Sequence, residues 1–289
     1  MNKFRYHISR NIARLLPDKL YLSIKFRIRM GYWMDWDNPK TFNEKLQWLK
    51  VYNRHPEYTK MVDKVTVKKY VADIIGEQYI IPTLGVWKTV EEVDFKSLPD
   101  RFVIKCNHNS GKGMYICKDK SAMDEEDIRC GLRRGLQENY VIQNREYPYK
   151  NVPRRIIAEQ YMEDESGYEL KDYKFFCFDG EPRMIQLDFD RFTQHKKNLY
   201  SLEWELLPFS FNYPSHPECI FPKPDGLEKM IALARILSKG IPFVRVDFYN
   251  INGKIYFGEM TFFPATGLGK FRPEEWDLKL GSMINLPKR

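Results

Sequence analysis

Phe243 to Pro264 reads F-V-R-V-D-F-Y-N-I-N-G-K-I-Y-F-G-E-M-T-F-F-P. Two β-rich runs flank Asn252-Gly253, a strong short-range signal for a hairpin. Pairing the runs so that Asp247 faces Glu259 also sets Arg245 opposite Thr261. Side chains alternate along a strand, so Val244, Val246, Phe248, Met260 and Phe262 then share an apolar face. Arg245, Asp247, Glu259 and Thr261 gather on the other face. A bare two-residue Asn-Gly turn misses this register by one residue, so a three-residue loop or a bulge is expected at Gly253. Like charges directly opposite each other destabilise a sheet unless a cation sits between them. Oxygen ligands of this kind suit Mg²⁺, which takes one or two carboxylates together with phosphate oxygens. Taken alone, the hairpin fits a solvated sheet face with an Arg–Asp pair slightly better; the rest of the chain changes that balance.

A second informative stretch is R-F-V-I-K-C-N-H-N-S-G-K-G-M-Y-I, Arg101 to Ile116. A strand carrying Lys105 runs into a polar, glycine-bearing loop and then into another strand. Gly111 and Gly113 let backbone approach a ligand, and successive N–H groups there can cradle phosphate oxygens. Lys105 adds a point charge for the same phosphates. The spacing departs from G-x-x-x-x-G-K-[ST], which excludes a Walker loop. Many surface hairpins share this outline, so it gains weight only from its context.

The 289 residues are 43% hydrophobic and 15% aromatic, a globular rather than a disordered composition. Lys and Arg number 47 against 39 Asp and Glu, a net charge of +8 that favours anionic partners. Five cysteines, Cys106, Cys117, Cys130, Cys177 and Cys219, form no C-x-x-C pair. They suggest neither a disulfide framework nor a zinc site, and a reducing cytoplasm is expected. No apolar run approaches ~20 residues, and no secretory h-region is visible.

Along the chain, residues 1–36 are basic and aromatic, with Ile8, Ile12, Leu15 and Leu16 at roughly helical spacing among Arg5, Arg10, Arg14, Lys19, Lys25, Arg27 and Arg29. A helix packed on its own domain is the commoner source of such a pattern, and a helix lying on an anionic membrane surface is the other. Thr41-Phe-Asn-Glu44 is a capping box opening a helix. A further helix is expected from Thr59 through Asp63 and Lys64 to Gly76; Lys64 and Lys68 could touch a substrate, although an exposed helix face is the commoner place for such charges. Tyr79 to Pro82 reads as an edge strand ending in proline. A helix follows Asp124, with Ile128, Leu132 and Leu136 on one side. Strands are expected over Arg155 to Met162, Asp172 to Phe178 and Glu181 to Phe189. His195 lies in a polar loop and could be an acid–base group, although a lone loop histidine is usually solvated. Residues 198–223 carry no motif. Pro224-Asp225 opens a helix that Gly240 closes.

In order, these pieces resemble the ATP-grasp superfamily, and R-x-D … E-x-T resembles the closing motif of D-alanine–D-alanine ligases. More specifically, N-P-K-T-F-N-E-K-L-Q-W-L-K, D-K-V-T-V-K-K-Y-V, F-V-I-K-C-N-H-N-S-G, R-I-I-A-E-Q-Y-M, D-Y-K-F-F-C-F-D-G and R-V-D-F-Y are similar to the teichuronopeptide-biosynthesis (TupA-like) type, over about residues 36 to 270. The resemblance implies an α+β ATP-grasp fold, with two subdomains clamping ATP between antiparallel sheets. The expected divisions are a helical N-terminal region (1–95), a small lid subdomain (96–162) and a metal-binding subdomain (163–289).

Residue by residue, the resemblance gives Lys105 the ATP phosphates or adenine edge, with Ser110, Gly111, Lys112 and Gly113 closing over the triphosphate. Glu159, Gln160, Tyr161 and Met162 become the adenine hinge, and Asp172 or Lys174 reaches ribose or phosphate. Asp247 and Glu259 hold Mg²⁺, while Arg245 stabilises the phosphoryl group in transit. Thr261 stands where the family pattern has asparagine, which leaves the second metal position open.

The chemistry so implied is an ATP- and Mg²⁺-dependent carboxylate–amine ligation through an acyl phosphate, set in cell-surface polysaccharide or teichuronopeptide assembly. The expected partners are ATP and an anionic small molecule, saccharide or lipid-linked sugar, not nucleic acid. The expected location is cytoplasmic, with peripheral contact at the inner membrane surface left open, as is the oligomeric state. A glycosyltransferase of polysaccharide assembly is one rival, separated by its use of a UDP-sugar in place of ATP. A non-catalytic ATP-binding component is the other, separated by the absence of turnover.

Overall fold

The computed structural model describes residues 15–167, 169–190 and 195–288. Of the basic N-terminal segment, Arg5, Ile8, Arg10, Ile12 and Arg14 therefore lie outside the described residues. The remainder forms α1 (Asp18–Met30), which buries Leu22 and Phe26 and leaves Leu20, Ile24 and Ile28 exposed. Gly31 at φ +91° ends it, donating its N–H to the Arg27 carbonyl. In the expected capping box, the Thr41 hydroxyl accepts from the Glu44 N–H and the Glu44 carboxylate accepts from the Thr41 N–H, opening α2 (Phe42–Tyr52).

The single helix expected after Thr59 is two, α3 (Tyr58–Val62) and α4 (Thr66–Ile75). They part at Asp63, whose carboxylate accepts from the Val65 N–H, the Asn107 amide and the Arg155 guanidinium. Buried polar groups need such partners, and Asp63 finds them by leaving the helix. Pro82 precedes a strand rather than ending one: residues 77–79 make a 3-10 turn, and β1 (Thr83–Trp87) follows.

β1 pairs antiparallel with β4 (Ile156–Gln160), β4 with β2 (Phe102–Cys106), and β2 with β3 (Met114–Cys117), giving the order β1-β4-β2-β3. This sheet draws an edge strand from upstream of residue 96, where the lid was expected to begin. Asp124 caps α5 (Glu125–Leu136), which lays Ile128 and Leu132 onto Phe102, Ile104, Ile156 and Ala158. The short α6 (Tyr140–Asn144) leads back towards β4.

The second sheet is also antiparallel, ordered β10-β9-β5-β6-β7: β5 (Asp172–Phe178), β6 (Glu181–Phe189), β7 (Lys196–Tyr200), β9 (Phe243–Ile251) and β10 (Lys254–Thr261). A ribbon of β8 (Ser210–Phe211) and β11 (Phe271–Arg272) stands beside it, with Phe211 edge-on to Phe176. α7 (Leu227–Ser238) packs on β5, β6 and β9. Its N-cap is Gly226, at φ +80°, and no side chain from Pro224-Asp225 caps it. Its end at Lys239, with Gly240 next in a left-handed conformation, is as expected. α8 (Glu275–Ser282) returns against α2.

The hairpin has the expected pairing, with Asp247 opposite Glu259 and Arg245 opposite Thr261. Its apolar face, from Val244 to Phe262, is buried. The bulge, however, is not at Gly253. Asn252 and Gly253 both take positive φ (+51° and +79°), forming a two-residue turn. The extra residue is absorbed at Gly258. A Cβ there would lie 3.1 Å from the Asp247 carbonyl oxygen and 3.3 Å from the Tyr249 ring, an approach only glycine allows comfortably.

Candidate active site

Adjacent strands of the larger sheet set four polar side chains in one row: Gln186, Lys174, Asp247 and Glu259 are successive cross-strand partners. The buried Lys174 ammonium is ion-paired with Asp172 and lies 3.4 Å from Asp188 and 3.5 Å from Asp247. Burial alone would depress its pKa, but these carboxylates raise it. Arg245 grips Asp247 with two bonds of 2.7 and 2.6 Å, and its Nη2 also reaches Glu259 Oε1 (3.0 Å) and Thr261 Oγ1 (3.1 Å). Burial, with Asp172 and Glu259 adding to it, pushes the Asp247 carboxyl up to about 7 against the pull of Arg245 and Lys174. Glu259 is 45% exposed at the sheet's edge. Its partial burial is outweighed by Arg245, Lys64, Lys174 and Lys105, which bring it down to about 2.

On the smaller sheet, Glu159 binds two lysines, Lys105 of β2 and Lys68 of α4 (2.7 Å for the latter). Burial would raise the Glu159 carboxyl; the two ammonium groups instead bring it to about 2. The sheets face each other across a cleft of about 280 Å³. Lys105, Ser110, Gly111, Glu159, Gln160, Tyr161 and Met162 line one wall, and Asp172, Lys174 and Glu259 line the other, with Arg245 and Asp247 beneath. Val103, Ile116, Met114, Phe257 and Leu170 give the cleft an apolar portion. It combines apolar walls with a few convergent charges, the usual makeup of a small-molecule site.

Two residues assigned to the phosphate loop are not brought to the cleft. Lys112 turns away to Glu138, at 2.7 Å. Gly113, at φ +65°, packs on α5, where a Cβ would meet Cys106 Sγ at 2.8 Å and the Gly135 Cα at 3.1 Å. Its glycine is required by packing. Gly111, at φ +83° with nothing within 4 Å of a Cβ, is the glycine that opens onto the cleft.

Three side chains for which a solvated position was the commoner expectation belong here or beside it. Lys68 of α4 and Lys64, in the turn before it, line the cleft rather than an exposed helix face, Lys68 reaching Glu159 of β4. Burial lowers the pKa of both, with nearby carboxylates opposing it. Lys64 is held by the Asn109 carbonyl, at 2.6 Å. His195 is placed by Asp188, its Nε2 3.2 Å from Oδ2, instead of being free in solvent. The D-K-V-T-V-K-K run was the available signal for the lysines; nothing local marks Asp188.

The donor set on the larger sheet is all oxygen (Asp172, Asp247, Glu259 and Thr261), the chemistry Mg²⁺ prefers. Both Asp247 oxygens are occupied by Arg245, whereas Glu259 presents its carboxylate at the cleft. Among the described residues no three or more His, Cys, Asp or Glu side chains assemble into a complete protein-only cation site.

Among solved structures, the chain is similar to D-alanine–D-alanine ligase from Bacillus anthracis complexed with ATP: 15% identity, 78% of this chain and 68% of that one, TM-score 0.40. Its likeness to the ligase of that name from Helicobacter pylori is 15% identity, over 84% and 69%, TM-score 0.43. With the ADP complex of purK, N5-carboxyaminoimidazole ribonucleotide synthetase, it shares 14% identity, over 76% and 50%, TM-score 0.45. No curated protein matches it. The TupA-like ATP-grasp family model matches residues 44–285, which include both sheets and the whole cleft, and the chain belongs to that family.

Proposed function

We propose that the protein is an ATP- and Mg²⁺-dependent carboxylate–amine ligase that works through an acyl phosphate in the assembly of a cell-surface polysaccharide or teichuronopeptide. The observation that carries this reading is the single cleft with Lys105 and Glu159 on one wall and Lys174 and Glu259, backed by Arg245 and Asp247, on the other. The apolar portion between Val103, Ile116, Met162 and Phe257 suits a purine, with the backbone at Gln160 to Met162 as its hydrogen-bonding edge. Lys105, Lys68 and Lys64 face the phosphates, and the Gly111 backbone can approach them closely.

Phosphoryl transfer asks a protein for positioning and charge neutralisation more than for covalent help. Arg245 is fixed by Asp247 and Glu259 before any ligand arrives, so its charge needs no reorganisation. Asp247 and Glu259 would hold Mg²⁺, which would supply further neutralisation of phosphate charge. A substrate carboxylate oxygen bonds to the γ phosphorus as the bond to the β-bridging oxygen breaks, and ADP leaves. An amine nitrogen then bonds to the acyl carbon, the phosphate departs with the C–O electron pair, and the amine loses a proton to give the amide.

The test is the product pair. Purified protein with MgATP, candidate uronic acids and hydroxylamine should yield ADP, phosphate and a hydroxamate. Release of AMP and pyrophosphate would overturn the acyl-phosphate route. Sugar transfer from a UDP-sugar without ATP would overturn the ligase reading itself.

A further inference from the structure

Of the chain's 47 Lys and Arg, eight fall within residues 1–30, against Asp18 alone of its 39 acidic residues. The rest of the chain is therefore close to neutral, and nearly all of the net charge of +8 sits in this one segment. Four of the eight belong to α1, and α1 has two apolar sides. Leu22 and Phe26 face the core, while Leu20, Ile24 and Ile28, each one turn from the next, point outwards at 48%, 37% and 80% exposure. A helix that is apolar on both sides is expected to be covered on both. Directly after it come two exposed rings, Tyr32 and Trp33, the latter at 61%.

Arg27, three residues from Ile24, and Lys19, next to Leu20, are exposed at the borders of this stripe. Asp18 does not offset them, because it is turned to Arg54 and Arg145. Lys25 points inward to the Gln143 carbonyl, at 2.7 Å. Arg29 donates to the Leu268 carbonyl and meets Lys270 and Arg272 in a basic cleft of about 670 Å³ beside the β8–β11 ribbon. Cations bordering an aliphatic stripe, with aromatic rings at its end, match the layers of a bilayer surface. Anionic headgroups lie outside the acyl chains there, and Trp and Tyr settle between the two. Nucleic acid offers phosphates but nothing to cover three aliphatic side chains, and a second copy of the chain brings the same positive charge. At 13 residues α1 is shorter than the ~20 a membrane span needs, and its inner side is fixed to the core, so it would lie along the surface.

We propose that α1, with Tyr32 and Trp33, docks the protein on an anionic lipid bilayer. Leu20, Ile24 and Ile28 enter the boundary between headgroups and acyl chains, and Lys19 and Arg27 meet lipid phosphates. The charge of the four basic residues before Leu15 adds to the attraction. A single short stripe of this kind gives reversible rather than permanent attachment. The surface is independent of the ligase reading, since it requires neither ATP nor turnover.

The experiment is co-sedimentation of the full-length chain with vesicles of phosphatidylglycerol and phosphatidylcholine in equal parts, beside vesicles of phosphatidylcholine alone. Wild type should pellet with the anionic vesicles at low salt, less in high salt, and little with the neutral ones. Ile24→Gln/Ile28→Gln should bind at least about tenfold more weakly, having lost side chains that enter the acyl region. Arg27→Gln should bind about fivefold more weakly, the effect of one cation near an anionic surface. All these side chains are exposed, so the variants should keep the wild-type melting temperature. Tryptophan emission should shift to the blue on binding, and less so in Trp33→Phe. Failure of wild type to bind anionic vesicles overturns the proposal. So does equal binding by wild type and the double isoleucine variant, which would leave charge alone at work. Retention on duplex DNA but not on vesicles would assign the surface to nucleic acid. A wild-type dimer that the isoleucine variant dissolves, without vesicle binding, would assign it to a second copy; either result overturns the lipid assignment.

Discussion

Lys174 and Asp247 are direct partners across β5 and β9, with the ammonium 3.5 Å from the carboxylate oxygen that Arg245 also holds. Lys174 is thus the cation that lets Asp172, Asp188 and Asp247 share a buried corner. Lys174→Met leaves three carboxylates short of a counter-charge, and removing one partner from a buried ion cluster costs about 3 kcal/mol or more. Thermal melts should register this loss, and ATP turnover should fall at least about 100-fold. Adding Asp172→Asn should restore part of the stability without the turnover. A Lys174→Met protein that melts and turns over like wild type would show the cluster to be unimportant.

Asp247→Asn and Glu259→Gln should separate two contributions. Asp247 is buried and pinned by two bonds from Arg245, so its replacement should lower both stability and Mg²⁺-dependent turnover. Glu259 is half-exposed, and its replacement should leave the melting temperature within a few degrees while reducing turnover about 100-fold. Magnesium titrations of ATP affinity read the difference; unaltered magnesium dependence in both would move the ion elsewhere.

The two loop glycines should behave differently. Gly113→Val drives a side chain into Cys106 and α5, so the expected outcome is loss of folding stability rather than of nucleotide affinity alone. Gly111→Ala has open space around it and costs only about 1 kcal/mol for its left-handed backbone. Its nucleotide affinity should nevertheless drop, because the backbone can no longer draw as close. Chemical denaturation of both variants beside nucleotide titration checks this, and a Gly113→Val protein of wild-type stability would contradict it.

Glu159 sets an acid limit on the fold. Lys105 and Lys68 overcome its burial and hold its pKa near 2, below the ordinary 4.5. A carboxylate with a depressed folded-state pKa contributes stability that is complete above the unfolded value and is lost as pH falls through the folded one. Wild type should therefore lose this contribution between about pH 4.5 and 2, and Glu159→Gln should lack that part of the slope. At pH 7 the same variant should be less stable by about 3 kcal/mol or less, since it strands two partly buried lysines. Parallel pH-stability profiles for the two proteins would argue against the pairing.

The pairing of Asp247 with Glu259 was legible in the sequence, because strand alternation and the Asn-Gly turn leave few registers that bury Val244, Val246 and Phe248 together. So were the capping box at Thr41 and the strand–loop–strand around Lys105, each a local matter of backbone preference. The position of the bulge was not: an extra residue at Gly253 or at Gly258 gives the same opposed pair, and only the approach of the Asp247 carbonyl and the Tyr249 ring singles out Gly258. Nor could sequence spacing turn Lys64 and Lys68 inward, since that depends on how α4 and the turn before it meet the smaller sheet and its loop. The basic cleft of Arg29, Lys270 and Arg272 leaves no periodic trace at all. Arg29 of α1 stands more than 200 residues before Lys270 and Arg272, and long-range packing alone brings its charge to theirs.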